Sequence, residues 1–240
     1  MPHRTLSAIV APLAFLLAAC GSDAAQDRAE IDQELESAEA ALSAELQEAR
    51  ADWNTFANET DRELDELRAD IEQEMDELDA AATSRWEEVE REARAAREEF
   101  SRDLARLDQV GETEAEELQR EIEQERIELE RWLTEARYSA LVSKEEFERE
   151  IASNLEDLGA EMDELERAVE SDSREIAVAA RDDLAELRTA WAALERDVAV
   201  LEEGAEAEFR DMRVDLAREA AEMEHDMRML RWRIDVDTEA

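Results

Sequence analysis

From Ala24 onward, apolar residues recur every three or four positions, the spacing that gathers side chains on one face of an α-helix. Between Ile31 and Leu107 the dominant repeat falls on every eleventh position. One series runs Ile31, Leu42, Trp53, Leu64, Met75, Trp86; a second runs Phe56, Leu67, Leu78, Val89, Phe100; a third runs Ala38, Ala49, Thr60, Ile71, Ala82, Ala93, Leu104. Together they draw one apolar stripe. Eleven residues in three turns is about 3.67 per turn, so the stripe is expected to run nearly straight, or to wind slightly right-handed, and to bury a long seam against partner helices. Toward the carboxyl end the spacing tightens into heptads: Leu187, Leu194, Leu201 beside Trp191 and Val198, then Phe209, Leu216, Met223, Leu230. These runs break near Gly204, and their average stays close to the ordinary helical period. The pattern predicts an all-α fold of long amphipathic helices, as an antiparallel helical bundle or coiled coil.

Turns are harder to place. Pro2 and Pro12 are the only prolines, so the chain from Leu13 to Ala240 passes without the strongest helix breaker. An unbroken helix from Ala24 to Val236 would be about 320 Å long. Gly111, Gly159 and Gly204 stand 48 and 45 residues apart and predict segments of about 45 residues. The alternative is that each glycine sits within a helix at a cost of about 1 kcal/mol. Thr113 with Glu116, Ser143 with Glu146, Thr60 with Glu63 and Ser84 with Glu87 have the Ser/Thr-x-x-Glu form of a capping box. The organisation read from these signals is a distinct leader over 1–19, a short linker over 20–30, a long helical region over 31–110, and a helical region over 111–240 with turns near 143, 159 and 204. An offset of 87 aligns Met75-Asp76-Glu77-Leu78 with Met162-Asp163-Glu164-Leu165, and Ser84, Glu88, Val89, Ala93 and Arg94 with Ser171, Glu175, Ile176, Ala180 and Arg181, which suggests an internal duplication.

Composition agrees with long helices: 41% of residues are charged, 5% aromatic, and only 4 are glycine. The formal net charge is -42, from 28 Lys and Arg against 70 Asp and Glu, spread along the chain. Nucleic acid is excluded as an expected partner, because neutralising phosphates needs clustered Lys or Arg. The same charge is repelled by anionic lipid. Glu-to-Arg pairs four apart, such as Glu87 with Arg91, Glu90 with Arg94 and Glu98 with Arg102, support helix by a few tenths of a kcal/mol each.

The amino terminus has a different character. Arg4 supplies a basic start, and Leu6 to Ala19 form an apolar run, the arrangement of a secretory signal and too short to span a bilayer comfortably. Leu17-Ala18-Ala19-Cys20, followed by Gly21-Ser22-Asp23, resembles the lipobox of bacterial lipoproteins at every position. That resemblance implies cleavage before Cys20, a diacylglyceryl group on its thiol and acylation of the new amino terminus. Cys20 is the only cysteine, so no internal disulfide competes for it. Two or more acyl chains at about 0.8 kcal/mol per buried methylene anchor a protein stably. By the same resemblance, Gly21 in place of aspartate after the cysteine favours the outer membrane, facing the periplasm.

Catalytic chemistry is scarce. Beyond the signal there is one histidine, His225; Glu222-x-x-His225 has the spacing of di-iron bundles but lacks a second such motif. Paired carboxylates read as a solvated helix face, and no Asp-rich loop with a turning glycine resembles a calcium site. No cofactor, metal or catalytic residue is expected. Of the tryptophans at 53, 86, 132, 191 and 232, Trp53, Trp86 and Trp191 fall on apolar stripes and read as core. Arg231-Trp232-Arg233 is the one local basic-aromatic patch and a candidate contact site. The expected function is that of a non-catalytic, membrane-anchored spacer, scaffold or interaction protein of the cell envelope, which could self-associate or meet envelope proteins through its helices. The murein lipoprotein is a helical lipoprotein of that general kind, but its carboxyl-terminal lysine has no counterpart at Ala240, so covalent tethering by that route is not expected. An alternative is lipid binding in the manner of exchangeable apolipoproteins, whose eleven-residue amphipathic repeats the body resembles, although those repeats carry proline and basic border residues.

Overall fold

The computed structural model describes residues 24–74, 80–107, 109–110, 112–171 and 175–239. Six α-helices make up the described fold: α1 Ala24–Glu74, α2 Ala80–Arg106, α3 Glu112–Ala140, α4 Lys144–Ser171, α5 Glu175–Glu203 and α6 Glu206–Glu239. Two compact units divide the chain, one ending at Phe56 and the other spanning Ala57–Thr238. The second unit is an all-α helical bundle. Helices α2 to α5 have 27 to 29 residues, about 40 Å each.

Ion pairs give the direction of neighbouring helices. Asp61, Asp65 and Arg68 of α1 meet Arg97, Arg94 and Glu90 of α2, so the numbers fall on one helix as they rise on the other. Chain direction therefore reverses between Glu74 and Ala80. Arg85 of α2 reaches Glu135 of α3, while Asp163 of α4 receives Arg188 of α5 and Leu155 receives Trp191, two further antiparallel hairpins. Helix α6 runs antiparallel to α3, with Thr134 beside Glu224 and Glu130 beside Arg228. It also touches α5 through Arg233 and Asp183, and α4 through Phe209 and Phe147, whose rings meet edge-on at 5.6 Å.

The apolar stripe is the core. Leu64 and Trp86, Val89 and Phe100, and Thr60, Ile71, Ala82, Ala93 and Leu104 are all buried, each from one of the eleven-residue series. The heptad residues Leu187, Leu194, Leu201, Phe209, Leu216, Met223 and Leu230 are buried likewise. Met75, Leu78 and Gly111 lie outside the described residues.

Several expectations are corrected. Within the helical region expected over 31–110 the chain forms two helices, α1 and α2, and the eleven-residue phase carries across both. Helices α2 to α6 are shorter than the glycine spacing suggested, since the chain also turns at 141–143 without glycine. There the backbone amide of Phe147 donates to Ser143 O at 3.0 Å, and Glu145 and Glu146 face the positive end of α4. Helix α4 passes through Gly159 without a turn. A Cβ at Gly159 would meet Trp191 Cζ2 at 3.6 Å, an ordinary contact, so the glycine lies against an indole that donates to Leu155 O at 3.0 Å and has space for a methyl group but for little more. Gly204 does lie between helices: Glu208 accepts from the Ala205 amide at 2.9 Å at the start of α6, and Lys144, the only lysine, donates to Gly204 O at 2.8 Å. Thr60 is a buried mid-helix residue of α1, not a cap, and α1 begins at Ala24, within the expected linker. The 87-residue offset places Glu88, Val89, Ala93 and Arg94 of α2 against Glu175, Ile176, Ala180 and Arg181 of α5, but sets Ser84, inside α2, against Ser171, the end of α4.

Gly159 yields a graded test. Gly159→Ala meets only ordinary van der Waals contact and gains helix propensity, so it should raise stability by up to about 1 kcal/mol in urea denaturation. Gly159→Leu should lower stability and shift Trp191 fluorescence, by displacing the indole from Leu155 O.

Candidate functional site

The lipobox residues Leu17, Ala18, Ala19 and Cys20 lie outside the described residues. Arg231 and Arg233 are exposed near the end of α6, with Trp232 half-buried between them. Arg233 is tied to Asp183 of α5 at 2.8 Å, so one cation of that patch already has a partner. His225 is half-buried, with Nδ1 3.6 Å from Glu128 Oε2. Its neighbour in the Glu-x-x-His motif, Glu222, lies 4.0 Å from Arg218. Among the described residues no group of three or more His, Cys, Asp or Glu could hold a metal ion. Trp86 and Trp53 are buried, and Trp191 is half-buried beside Gly159. Trp132 carries the Arg131 guanidinium 3.8 Å from its ring centroid.

The densest polar arrangement was not anticipated from sequence. On α3, Leu133, Thr134, Glu135, Ala136, Tyr138 and Ser139 are all buried, because other helices flank α3 on several sides. Helix α1 reaches it through Glu63 to Arg137, α2 through Arg85 to Glu135, α4 through Phe147 and Asn154 to Tyr138, and α6 through Glu224. Polar groups on a helix enclosed in this way are costly unless paired, and here the pairing is nearly but not fully complete, since Glu135 Oε2 makes no hydrogen bond. Glu224, 8% exposed, accepts from Thr134 Oγ1 and from the Tyr138 hydroxyl, each at 3.3 Å, and from Arg228 at 3.2 Å. Asn154 donates to the Tyr138 hydroxyl in turn, and Arg228 also donates to Glu130 at 2.9 Å. Glu135, 0% exposed, accepts from Arg85 Nε at 2.7 Å, with Arg131 4.0 Å away.

Burial pushes the carboxyls of Glu135 and Glu224 above the usual range despite these cations and hydroxyls, and it pushes the Tyr138 phenol up as well. The bonds from Thr134 and Tyr138 to Glu224 hold α3 to α6, while Arg228 supports the carboxylate from within α6, which is a structural role. Lower in the α2–α3 hairpin, Glu125 is raised to about 8, first by burial and then by Asp103, with Glu99 and Glu121 adding repulsion.

Two measurements follow. Glu224→Ala strands Thr134 and Tyr138 beside a cavity and should cost about 2 kcal/mol in urea denaturation, with Glu224→Gln costing less because it still accepts. The folded chain binds a proton at Glu125 that the unfolded chain releases near pH 4.5, so the stability from this group is complete below that value and is lost as pH rises through about 8. The melting temperature should therefore be higher at pH 6 than at pH 8.5, and Glu125→Gln should flatten that dependence.

Comparison with protein-family models, curated proteins and solved structures finds no match to this chain.

Proposed function

We propose that this chain is a lipid-anchored protein of the bacterial cell envelope whose helical body serves as a spacer, scaffold or docking element and does no catalysis. The observation that carries the reading is Leu17-Ala18-Ala19-Cys20 directly after a basic start and the apolar run that begins at Leu6. Acylated Cys20 holds the body at a membrane against the repulsion of a net charge of -42. No described helix is long and apolar enough to cross a membrane, which leaves anchoring to the amino terminus in this reading. Gly21 after the cysteine directs the protein to the outer membrane, facing the periplasm.

The bundle favours the structural role over apolipoprotein-like lipid binding. A lipid-binding helix needs an apolar face to lay on the surface, and here the stripes cover one another. Val200, 57% exposed, is the exposed large hydrophobic residue among those described. Opening the bundle to lipid would separate α3 from α6 and leave Glu224 without its partners.

Expression of the full chain in a bacterial host with labelled palmitate tests the anchor. The wild type should take up label and sediment with outer membranes, while Cys20→Ser should take up none and remain an unprocessed precursor. Label on Cys20→Ser, or a wild type that stays soluble and unlabelled, sinks the proposal. Flotation separates the two roles: the body from Gly21 to Ala240 should stay at the bottom of a gradient with zwitterionic vesicles, and flotation would favour lipid binding.

A further inference from the structure

The second unit contains one helical pattern twice, at an offset of 94 residues. Leu64 and Leu158, Leu107 and Leu201, and Leu133 and Met227 are equivalent core positions on α1 and α4, α2 and α5, and α3 and α6, and all six are buried. Arg102-Asp103-Leu104-Ala105-Arg106-Leu107 at the end of α2 corresponds to Arg196-Asp197-Val198-Ala199-Val200-Leu201 at the end of α5. The 87-residue offset read from sequence is this register displaced by one heptad, which keeps residues on the same helix face and so imitates the true match.

Contacts repeat with the pattern. Arg97 of α2 donates to Asp61 of α1; 94 residues on, Trp191 of α5 donates to Leu155 of α4. Arg94 donates to Asp65 at 2.9 Å, and its equivalent Arg188 donates to Asp163, one turn from the matching height, at 2.6 Å.

Where the halves meet, the contacts cross. Thr134 of α3 donates to Glu224 of α6, and Arg228 of α6 donates to Glu130 of α3. Glu130 and Glu224 are equivalent positions, and so are Thr134 and Arg228. Exchange of this kind, in which position i of one copy meets j of the other and j meets i, is the property of an isologous two-fold interface. Repeats stacked by translation would instead join two different surfaces.

We propose that the α3–α6 seam is a homotypic docking surface, formed by two copies of one three-helix unit that face each other across a two-fold axis and are joined in a single chain. The partner that this surface fits is a second copy of the unit. The chain supplies that copy itself, so the seam is complete within one molecule however the amino terminus is anchored.

Distance measurement between spin labels on the full chain tests the symmetry. Cys20→Ser removes the one natural thiol, and labels are placed on cysteines at exposed equivalent positions, Arg102 with Arg196 and Glu117 with Asp211. One sample carries Arg102→Cys with Asp211→Cys, and the other carries Glu117→Cys with Arg196→Cys. Circular dichroism first establishes that each keeps its helix, as exposed substitutions ordinarily allow. A two-fold relation requires the same mean distance in both samples. Means that differ by more than about one helical turn, roughly 5 Å, would overturn the proposal in favour of translational stacking or of no symmetry.

Discussion

A chain with 41% charged residues can cover a core only if its charges stay at the surface, and α3 is where that becomes impossible. Helices α1, α2, α4 and α6 all reach α3, so side chains around most of its circumference leave water. Desolvating a carboxylate costs several kcal/mol unless donors replace the lost water. Glu135 meets Arg85, and Glu224 meets Thr134, Tyr138 and Arg228. The outer hairpins, by contrast, are held by exposed pairs such as Arg188 with Glu166, which contribute at most about 1 kcal/mol each. The bundle therefore rests on apolar burial along each helix and on a few enclosed polar contacts where its halves join.

Much of this was legible in the pattern. The eleven-residue series named Leu64, Trp86, Val89 and Phe100 as core, and the heptads named Leu194, Leu201 and Met223, because burial follows helical period whatever the turns do. Reversals were less legible. The chain turns back after Glu74 and again at 141–143 with neither glycine nor proline to mark the place. Gly159 looked like a turn and instead lies inside α4 against Trp191, a distinction that depends on the facing helix and not on local sequence. Thr60 with Glu63 had the form of a cap, yet the backbone amides there are already paired within α1, leaving the threonine to the core.

The polar cluster was illegible for a related reason. Glu135 and Glu224 are two among 70 acidic residues, and nothing in their immediate neighbours separates them from the solvated ones. Only the number of helices surrounding α3 does so, and that is a property of the assembled bundle. The lipobox-like run is the opposite case: the resemblance lies in a few residues around Cys20, and the fold of the body neither adds to it nor takes from it.

The match of the halves survives a shift of seven residues, and this bears on how the chain reaches its native state. A hairpin that closes two turns out of place keeps its leucines facing inward, so collapse alone does not discriminate against it. It loses the contacts that occur at single points along the helices, such as Asp61 with Arg97 and the Leu155 carbonyl with Trp191. A slipped hairpin would keep its apolar burial and lose those point contacts, so it is the polar contacts that distinguish the native register from its neighbours. The apolar repetition that gives the body its core thus leaves the register of its hairpins open, and sparse polar contacts close that choice.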